Sequence, residues 1–218
     1  EEELGALYLR ATAVAVTGTN GKTTTVSMVN DILRAAGKNS VLCGNVGNPL
    51  VGEVENLGFD DFAVIEISSF QLETLSSLRP HVAVITNITE DHLNRHYNME
   101  NYVFLKSKIL RNLRGSEYAV LNADDKTVSA FAEKIRCRVI FFSMEPRSDG
   151  VWCENGAVYC DGERLFAVND MKAGGTHNVY NALAAVAVAK ALGVDLAVAA
   201  KAVCSFRSVR HRIETVCE

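Results

Sequence analysis

Short apolar runs recur along the chain, and longer stretches of mixed polarity separate them. The runs occupy residues 12–16, 39–43, 62–67, 82–86, 117–122 and 138–142. Each run is apolar at most positions, which is typical of strands that are covered on both faces of a parallel sheet. Between them, residues 23–36, 99–113 and 126–135 have the apolar spacing of helices. The pattern predicts an α/β fold with a P-loop-type, mostly parallel sheet flanked by helices.

The pattern changes near residue 150. Three shorter runs, at 151–153, 157–160 and 164–168, are separated by Asn155-Gly156 and Asp161-Gly162. Both dipeptides are strong signals for tight hairpin turns. We therefore predict a small antiparallel insert at about residues 150–170, followed by helices at 178–192 and about 196–203.

Composition narrows the class of protein. The chain has 218 residues, of which 48% are hydrophobic and 22% are charged. These values are typical of a folded globular domain and exclude a disordered tail. The net charge of −4 gives no basic footprint for nucleic acid. No uncharged apolar run approaches the roughly 18 residues that a membrane span requires. We expect a monomer with neither nucleic-acid nor membrane partners.

The six cysteines do not form a CxxC pair, which argues against a zinc knuckle or a thioredoxin-type site. Cys153 and Cys160 flank the predicted turn at Asn155-Gly156. In a two-residue hairpin, residue 153 would pair with 158 and residue 151 with 160, so the two cysteines would not lie opposite each other. We interpret the cysteines as small buried hydrophobic residues in a reducing compartment.

The segment Gly18-Thr19-Asn20-Gly21-Lys22-Thr23-Thr24 connects the first predicted strand to the first long predicted helix. This is the context in which a glycine-rich loop and a helix N-terminus bind phosphate through backbone N–H groups. Lys22 would add a positive charge for the β- and γ-phosphates, and the Thr23 hydroxyl could bind Mg²⁺. Val16 replaces the first glycine of the strict P-loop pattern. The alternative is an ordinary strand-to-helix turn with a surface lysine.

Polar residues follow three of the other predicted strands. Glu66 ends one strand, and its place at a carboxyl end favours a magnesium ligand over the alternative, a solvated strand-end residue. His92 follows another strand within Asn87-Ile88-Thr89-Glu90-Asp91-His92, where it could be a ligand or a helix cap. The loop 44–49 has amide groups that could bind a polar ligand or could form a simple turn.

Six segments, taken together, resemble the central ATPase domain of the Mur ligase family. They follow the family's order along the whole chain. The segments are Gly18–Thr24, Gly44-Asn45-Val46-Gly47-Asn48-Pro49, Glu66-Ile67-Ser68-Ser69-Phe70-Gln71-Leu72, Asn87-Ile88-Thr89-Glu90-Asp91-His92-Leu93, His177-Asn178-Val179-Tyr180-Asn181-Ala182 and His211-Arg212-Ile213-Glu214. The block 68–72 resembles the branch of the family that adds D-glutamate.

The resemblance implies a three-domain enzyme of which this chain is the middle part. Residues 1–207 would form the ATP-binding domain, and residues 208–218 would form a hinge and the start of a C-terminal domain. On this interpretation, Glu1-Glu2-Glu3 and the last residues lie at the boundaries of a middle domain. We expect such a fragment to be inactive alone.

The implied reaction is ATP- and magnesium-dependent amide formation. A carboxylate of UDP-N-acetylmuramoyl-L-alanine would attack ATP to give an acyl phosphate, which the amine of D-glutamate would then attack. This reaction would serve peptidoglycan synthesis in a bacterial cytoplasm. Two alternatives stay open: another amino-acid ligase of the same family, or a non-catalytic P-loop nucleotide-binding module.

The resemblance also assigns roles to individual residues. Lys22 would hold the phosphates, and Thr23 with Glu66 would hold one Mg²⁺. His92 would hold a second Mg²⁺ and help to place the substrate carboxylate. Lys106 matches a lysine that the family carbamylates to make a metal ligand, although Lys108 is close enough to leave the alignment open.

The remaining assignments concern substrate and nucleotide. Asn45, Ser68 and Gln71 match positions that contact the substrate. The nucleotide would contact Gly18, Thr19, Asn20, Gly21, Thr24, Asn178, Asn181 and Arg212. Asn94 departs from the family, which more often has aspartate there.

Overall fold

The computed structural model describes residues 1–207, so the predicted hinge at 208–218, including Arg212, lies outside the described residues. Within this part, nine strands form one sheet in the order β2-β3-β1-β4-β5-β6-β7-β8-β9. The strands are β1 (Thr12–Thr17), β2 (Ser40–Gly44), β3 (Phe62–Glu66), β4 (Val82–Ile85), β5 (Tyr118–Asn122), β6 (Arg138–Ser143), β7 (Val151–Glu154), β8 (Ala157–Cys160) and β9 (Glu163–Ala167). The first seven strands pair in parallel, and β8 and β9 are antiparallel. The predicted α/β class is confirmed.

Helices connect the parallel strands. They are α1 (Glu2–Tyr8), α2 (Lys22–Ala35), α3 (Leu50–Glu53), α4 (Ser69–Thr74), α5 (Leu93–His96), α6 (Met99–Ser107), α7 (Lys126–Ser129), α8 (Thr176–Ala191) and α9 (Leu196–Ser205). The long helices predicted at 99–113 and 126–135 are shorter than expected. Each continues as a 3-10 turn, at Lys108–Leu110 and Ala130–Lys134.

The two faces of the sheet bury alternate residues of each central strand. Val14 and Val16 of β1 belong to the core that contains α2, α8 and α9. Ala13 and Ala15 belong to the opposite core, which contains α3, α4 and α6. Because successive side chains in a strand point to opposite faces, a strand between two cores is apolar throughout. This explains the apolar runs that predicted the sheet.

The antiparallel strands extend the main sheet rather than forming a separate insert. Phe142 and Ser143 at the end of β6 pair in parallel with Val151 and Trp152 of β7. The predicted hairpin register is confirmed, because Val151 pairs with Cys160 and Cys153 pairs with Val158. The two turn residues, Asn155 and Gly156, have φ of 50° and 74°, as a type I′ turn requires.

The strand order determines where a ligand can bind. The chain leaves β1 towards β2 on one side and reaches β4 on the other side, after β3. The loops that follow β1, β3 and β4 therefore meet at the carboxyl edge, where the connections reverse direction. Open α/β sheets bind ligands at this point. Among residues 1–207, no helix is both long enough and apolar enough to cross a membrane.

Candidate active site

Two glycines of the loop between β1 and α2 lie so close to other residues that there is no free space for a Cβ atom. A Cβ on Gly18 would lie 1.9 Å from Thr86 Oγ1, and one on Gly21 would lie 2.2 Å from Asn181 Oδ1. Their φ angles, 152° and 84°, also disfavour other residues. Gly18 is therefore required by contact as well as by conformation, whereas at Gly21 the positive φ favours glycine and an added Cβ would displace the Asn181 side chain.

Hydrogen bonds attach this phosphate loop, defined as residues 18–24, to the loop after β4. The backbone N–H groups of Thr19 and Asn20 donate to the main-chain and side-chain oxygens of Asn87, each at 2.9 Å. The Asn87 amide and the Thr86 hydroxyl donate to the carbonyl of Asn20, at 3.0 and 2.7 Å. The N–H groups of Thr19 and Asn20, which the sequence assigned to an anion, are thus bonded within the protein. The first turn of α2, whose N–H groups have no partner in the helix, is where an anion would bind.

Two lysines reach the same carbonyl of the phosphate loop. Lys22 Nζ donates to the carbonyls of Gly18 and Thr19, at 3.0 and 2.8 Å. Lys106 Nζ donates to the carbonyl of Gly18 at 2.7 Å. Lys106 is 1% exposed, and its Nζ lies 4.7 Å from the centre of the Tyr102 ring. Lys106 and Gly18 are 88 residues apart in the sequence, and the fold brings them into contact.

Burial changes the chemistry of Lys106. Desolvation, with a smaller contribution from the positive charge of Lys22, lowers the pKa of Lys106 to about 7, although Asp91 opposes the shift. A lysine with this pKa has a large neutral fraction at neutral pH. Lys108 instead donates to the carbonyls of Leu72 and Glu73. Lys106 is therefore the lysine that lies beside the phosphate loop.

Glu66 supplies a buried carboxylate at the end of β3. It is 2% exposed, and its Oε1 accepts a hydrogen bond of 2.9 Å from the Asn45 side chain. Its Oε2 is buried and has no hydrogen-bond partner among the described residues. Buried polar groups are nearly always paired, so an unpaired carboxylate oxygen suits a cation. No three His, Cys, Asp or Glu residues of the described chain cluster closely enough to hold a metal. Mg²⁺ commonly uses only one or two carboxylates together with phosphates and water.

Ser68 and Gln71 form a capping box at the start of α4. The Ser68 hydroxyl accepts from the Gln71 N–H, and the Gln71 side-chain oxygen accepts from the Ser68 N–H. The Gln71 amide nitrogen donates to the carboxylate of Glu2 in α1. The spacing Ser-x-x-Gln is the sequence signal of this box. No local sequence pattern predicts the contact between Gln71 and Glu2, which are 69 residues apart.

His92 lies at the N-cap of α5 with φ of 53°. A non-glycine residue in this left-handed region costs about 1–2 kcal/mol, so neighbouring contacts must stabilise it. Its N–H donates to Asp91 Oδ1 at 2.8 Å, and its Nε2 lies 3.3 Å from Asp91 Oδ2. The His92 ring is half-exposed, and its centre lies 5.1 Å from that of Phe70.

A cavity of about 510 Å³ adjoins the first turn of α2. It is lined by Asn20, Gly21, Asn87, Thr89, Asn122, His177, Tyr180 and Asn181. Asn181 accepts from the Thr25 hydroxyl at 3.3 Å, and Asn178 donates to the Gly174 carbonyl at 2.8 Å. Two further cavities, of about 470 and 680 Å³, lie along α6 and contain none of the predicted site residues.

Tyr180 lines this cavity and is paired with Asp124, a contact that the sequence did not reveal. The Tyr180 hydroxyl donates to Asp124 Oδ2 at 3.0 Å. Asp124 also accepts from the Ser143 hydroxyl and the Met144 N–H, at 2.5 and 2.7 Å. Burial and the bond to Asp124 raise the pKa of Tyr180 to about 12. The contact fixes the phenol ring at one wall of the cavity, where the ends of β5 and β6 meet α8.

Comparison with known proteins places the chain in a family. The model of the Mur ligase middle domain matches residues 16–189. The UDP-N-acetylmuramoylalanine–D-glutamate ligase of Pelotomaculum thermopropionicum is 45% identical over 223 residues, which cover 100% of this chain and 49% of that protein. The ligase of the same name from Clostridioides difficile is 40% identical over 93% of this chain and 46% of its own length. The chain therefore spans about half the length of the curated relatives it matches.

Solved structures share the fold. MurF from Acinetobacter baumannii has a TM-score of 0.76 and 25% identity, covering 99% of this chain and 51% of that chain. A pseudomurein peptide ligase type C from Methanothermus fervidus has a TM-score of 0.76 and 24% identity, covering 94% of this chain and 51% of that chain. Since the family model covers most of the sequence, the chain belongs to the Mur ligase family and corresponds to its middle domain.

Proposed function

We propose that this chain is the ATP- and magnesium-binding part of an amide ligase that adds D-glutamate to UDP-N-acetylmuramoyl-L-alanine. The observation that carries the proposal is the convergence of Lys22 and Lys106 on the Gly18 carbonyl in the phosphate loop. The name of the most similar curated relatives supports the choice of substrate. Such a ligase would act in peptidoglycan synthesis in the bacterial cytoplasm.

The first chemical step brings two anions together. The substrate carboxylate oxygen attacks the γ-phosphorus of ATP and forms an O–P bond. The P–O bond to the β-phosphate breaks, and ADP leaves. Positive groups must offset the repulsion and the charge of the transition state, and removing one such group often costs about 10²–10³ in rate. Lys22 would supply one charge to the phosphates. The backbone N–H groups of the first turn of α2, including those of Thr23 and Thr24, would bind the phosphate oxygens.

The proposed metal ligands are few and come from separate loops. Thr23, in the first turn of α2, and Glu66, through its unpaired Oε2, would hold one Mg²⁺. His92 and a carbamylated Lys106 would hold a second. The bound ions supply charge neutralisation between the two anions. Because Asn45 occupies Glu66 Oε1, Oε2 is the oxygen that would bind the ion.

The neutral fraction of Lys106 supports the proposal that this residue is carbamylated. The amine lone pair forms an N–C bond with CO₂, one C=O electron pair moves to oxygen, and the nitrogen releases a proton. The product is a carbamate anion where an ammonium was. Because the pKa of Lys106 is about 7, the attacking amine is available without strong base.

Substrate and nucleotide would bind on either side of the phosphate loop. Asn45, Ser68, Gln71 and His92 would contact the carboxylate-bearing substrate. Gly18, Thr19, Asn20, Gly21, Asn178 and Asn181 would surround the nucleotide, with the base in the 510 Å³ cavity. The proposed nucleotide contact of Arg212 lies outside the described residues.

The complete ligase that contains this chain tests the substrate assignment. We expect it to join UDP-N-acetylmuramoyl-L-alanine to D-glutamate in preference to L-alanine, L-lysine, diaminopimelate or D-alanyl-D-alanine, with the product measured by mass spectrometry. A preference for any other amino acid would favour a different ligase of the same family. We expect no product from the 218-residue chain alone.

A further inference from the structure

His96 lies outside the proposed catalytic set, yet it is 3% exposed at the end of α5. Its imidazole lies between two aromatic rings. The ring centres are 5.3 Å from Phe70, at an interplanar angle of 28°, and 5.2 Å from Tyr102, at 27°. These distances are in the range of favourable ring stacking. The stack joins three helices, because Phe70 belongs to α4 and Tyr102 to α6.

The edges of the imidazole are also held. His96 Nε2 lies within hydrogen-bond distance, 3.0 Å, of the Ser69 hydroxyl. His96 Nδ1 lies 3.8 Å from Glu73 Oε1. Ser69 is itself buried, so this contact is protected from water. The ring is therefore fixed both in its plane and across its faces.

One end of the stack reaches the phosphate loop. The Tyr102 hydroxyl lies 3.2 Å from Thr19 Oγ1. The Tyr102 ring also lies under Lys106 Nζ. A displacement of Tyr102 would therefore change its contacts with Thr19 and with Lys106, and Lys106 in turn donates to Gly18.

The other end of the stack reaches His92. The His92 ring, at the start of α5, contacts the Phe70 ring. Three residues before His92 in the chain, the Thr89 N–H donates to Thr19 Oγ1 at 3.0 Å, and the Thr19 hydroxyl lies 3.1 Å from the Thr89 carbonyl oxygen. The His92 segment, residues 89–96, is thus tied to Thr19 twice. Thr89 makes the direct connection, and His96 makes the second one through Tyr102.

We propose that His96 is a positioning residue that holds the His92 segment at a fixed distance from the phosphate loop. Its flat ring bridges Phe70 and Tyr102, and its bond with Ser69 prevents the ring from turning. An effect of His96 on catalysis rests on the proposed function, because it requires His92 to act beside the ATP that the phosphate loop would bind. The mechanical link itself requires no ligand.

Amide hydrogen exchange, resolved by residue with NMR, tests this link in the full 218-residue chain. His96→Ala removes the ring. His96→Phe keeps a flat ring but loses the bond with Ser69. His96→Leu fills the space without a flat ring and replaces the alanine variant if that variant does not fold. Asn94→Ala, an exposed position on the same helix, is the matched control.

We expect His96→Ala or His96→Leu to increase exchange at the Thr19 and Asn20 amides at least tenfold, below the unfolding transition. These amides report on the phosphate loop because they donate to Asn87. His96→Phe should keep most of the protection, and Asn94→Ala should keep all of it. Changes confined to residues 93–98 would show a purely local structural role and would overturn the proposal.

Binding of Mg·ATP to the same variants separates the two claims. We expect the dissociation constant to rise about tenfold in His96→Ala or His96→Leu, and less than threefold in His96→Phe. If exchange responds as expected but the parent chain binds no ATP, the positioning role stands and the proposed function fails. If the parent chain binds ATP, equal dissociation constants in the parent, leucine and phenylalanine chains would contradict the effect of His96 on the phosphate loop's affinity for ATP.

Discussion

The phosphate loop and the β7–β8 hairpin both depend on glycine, but for different physical reasons. Gly18 and Gly21 are close to Thr86 and Asn181, so an added Cβ would collide with them. Gly156 also has positive φ, at 74°, but nothing lies within 4 Å of where its Cβ would be. Gly156 is therefore favoured only because the turn requires positive φ. Gly18 and Gly21 also lack the Cβ that would separate the phosphate loop from Thr86 and Asn181.

The two regions also differ in what they bury. The carboxyl edge of β1, β3 and β4 surrounds the buried charged residues Glu66 and Lys106. Among the residues of β7, β8 and β9, the buried ones are apolar, and none is charged. Buried charges cost free energy unless they are paired. The comparison indicates that the first region gives up stability to keep charged groups where we propose that ligands bind, while the second region adds to the apolar core.

Alanine substitutions should separate these two uses of glycine, and this is the largest effect we expect. Gly18→Ala should lower the free energy of unfolding by roughly 2–4 kcal/mol, because Thr86 and the loop must shift. Gly156→Ala should lower it by only about 1 kcal/mol, the cost of placing alanine at positive φ. Urea denaturation measures both values. Equal losses would mean that the close approach at Gly18 contributes nothing.

The buried charge of Lys106 gives a smaller, pH-dependent effect. Its folded pKa of about 7 lies below the usual value of about 10.4, so the unfolded chain binds one more proton between these pH values. The contribution of Lys106 to the free energy of unfolding should therefore rise as the pH increases from 7 to 10.

Lys106→Met should remove roughly 1–3 kcal/mol of this rise. Denaturation at pH 7 and pH 10 in CO₂-free buffer measures the difference between parent and variant, and other titrating groups cancel in that comparison. Identical pH dependence in the two chains would show that Lys106 is not buried as an amine.

The sequence predicted the parts of the fold that repeat a local pattern. The six parallel strands were found because each is apolar at most positions, and the hairpin register followed from Asn155-Gly156. Helices α1, α3, α4 and α5 were not predicted, because each has only four to seven residues. Such helices are stabilised by distant contacts. Glu3 of α1, for example, accepts hydrogen bonds from Ser76 and Ser77, which lower its pKa to about 2.

The site was predictable only in part. The phosphate loop has its own local pattern, and Glu66 was recognisable as a carboxylate at a strand end. The choice of Lys106 as a site residue came from the family resemblance. Its contact with Gly18 could not be predicted, since no spacing rule connects residues 88 positions apart. The pair formed by Tyr180 and Asp124, 56 positions apart, had no such guide. Contacts of this kind depend on the tertiary fold.

Calorimetric titration of the 218-residue chain with Mg·ATP tests the central claim, that residues 18–24 bind the phosphates of ATP. The parent chain should bind. Lys22→Ala should abolish measurable binding, because it removes the charge beside the phosphates. Lys38→Ala, which changes an exposed lysine just beyond the end of α2, should bind as the parent does. Equal affinity in the parent and Lys22→Ala chains would contradict the account.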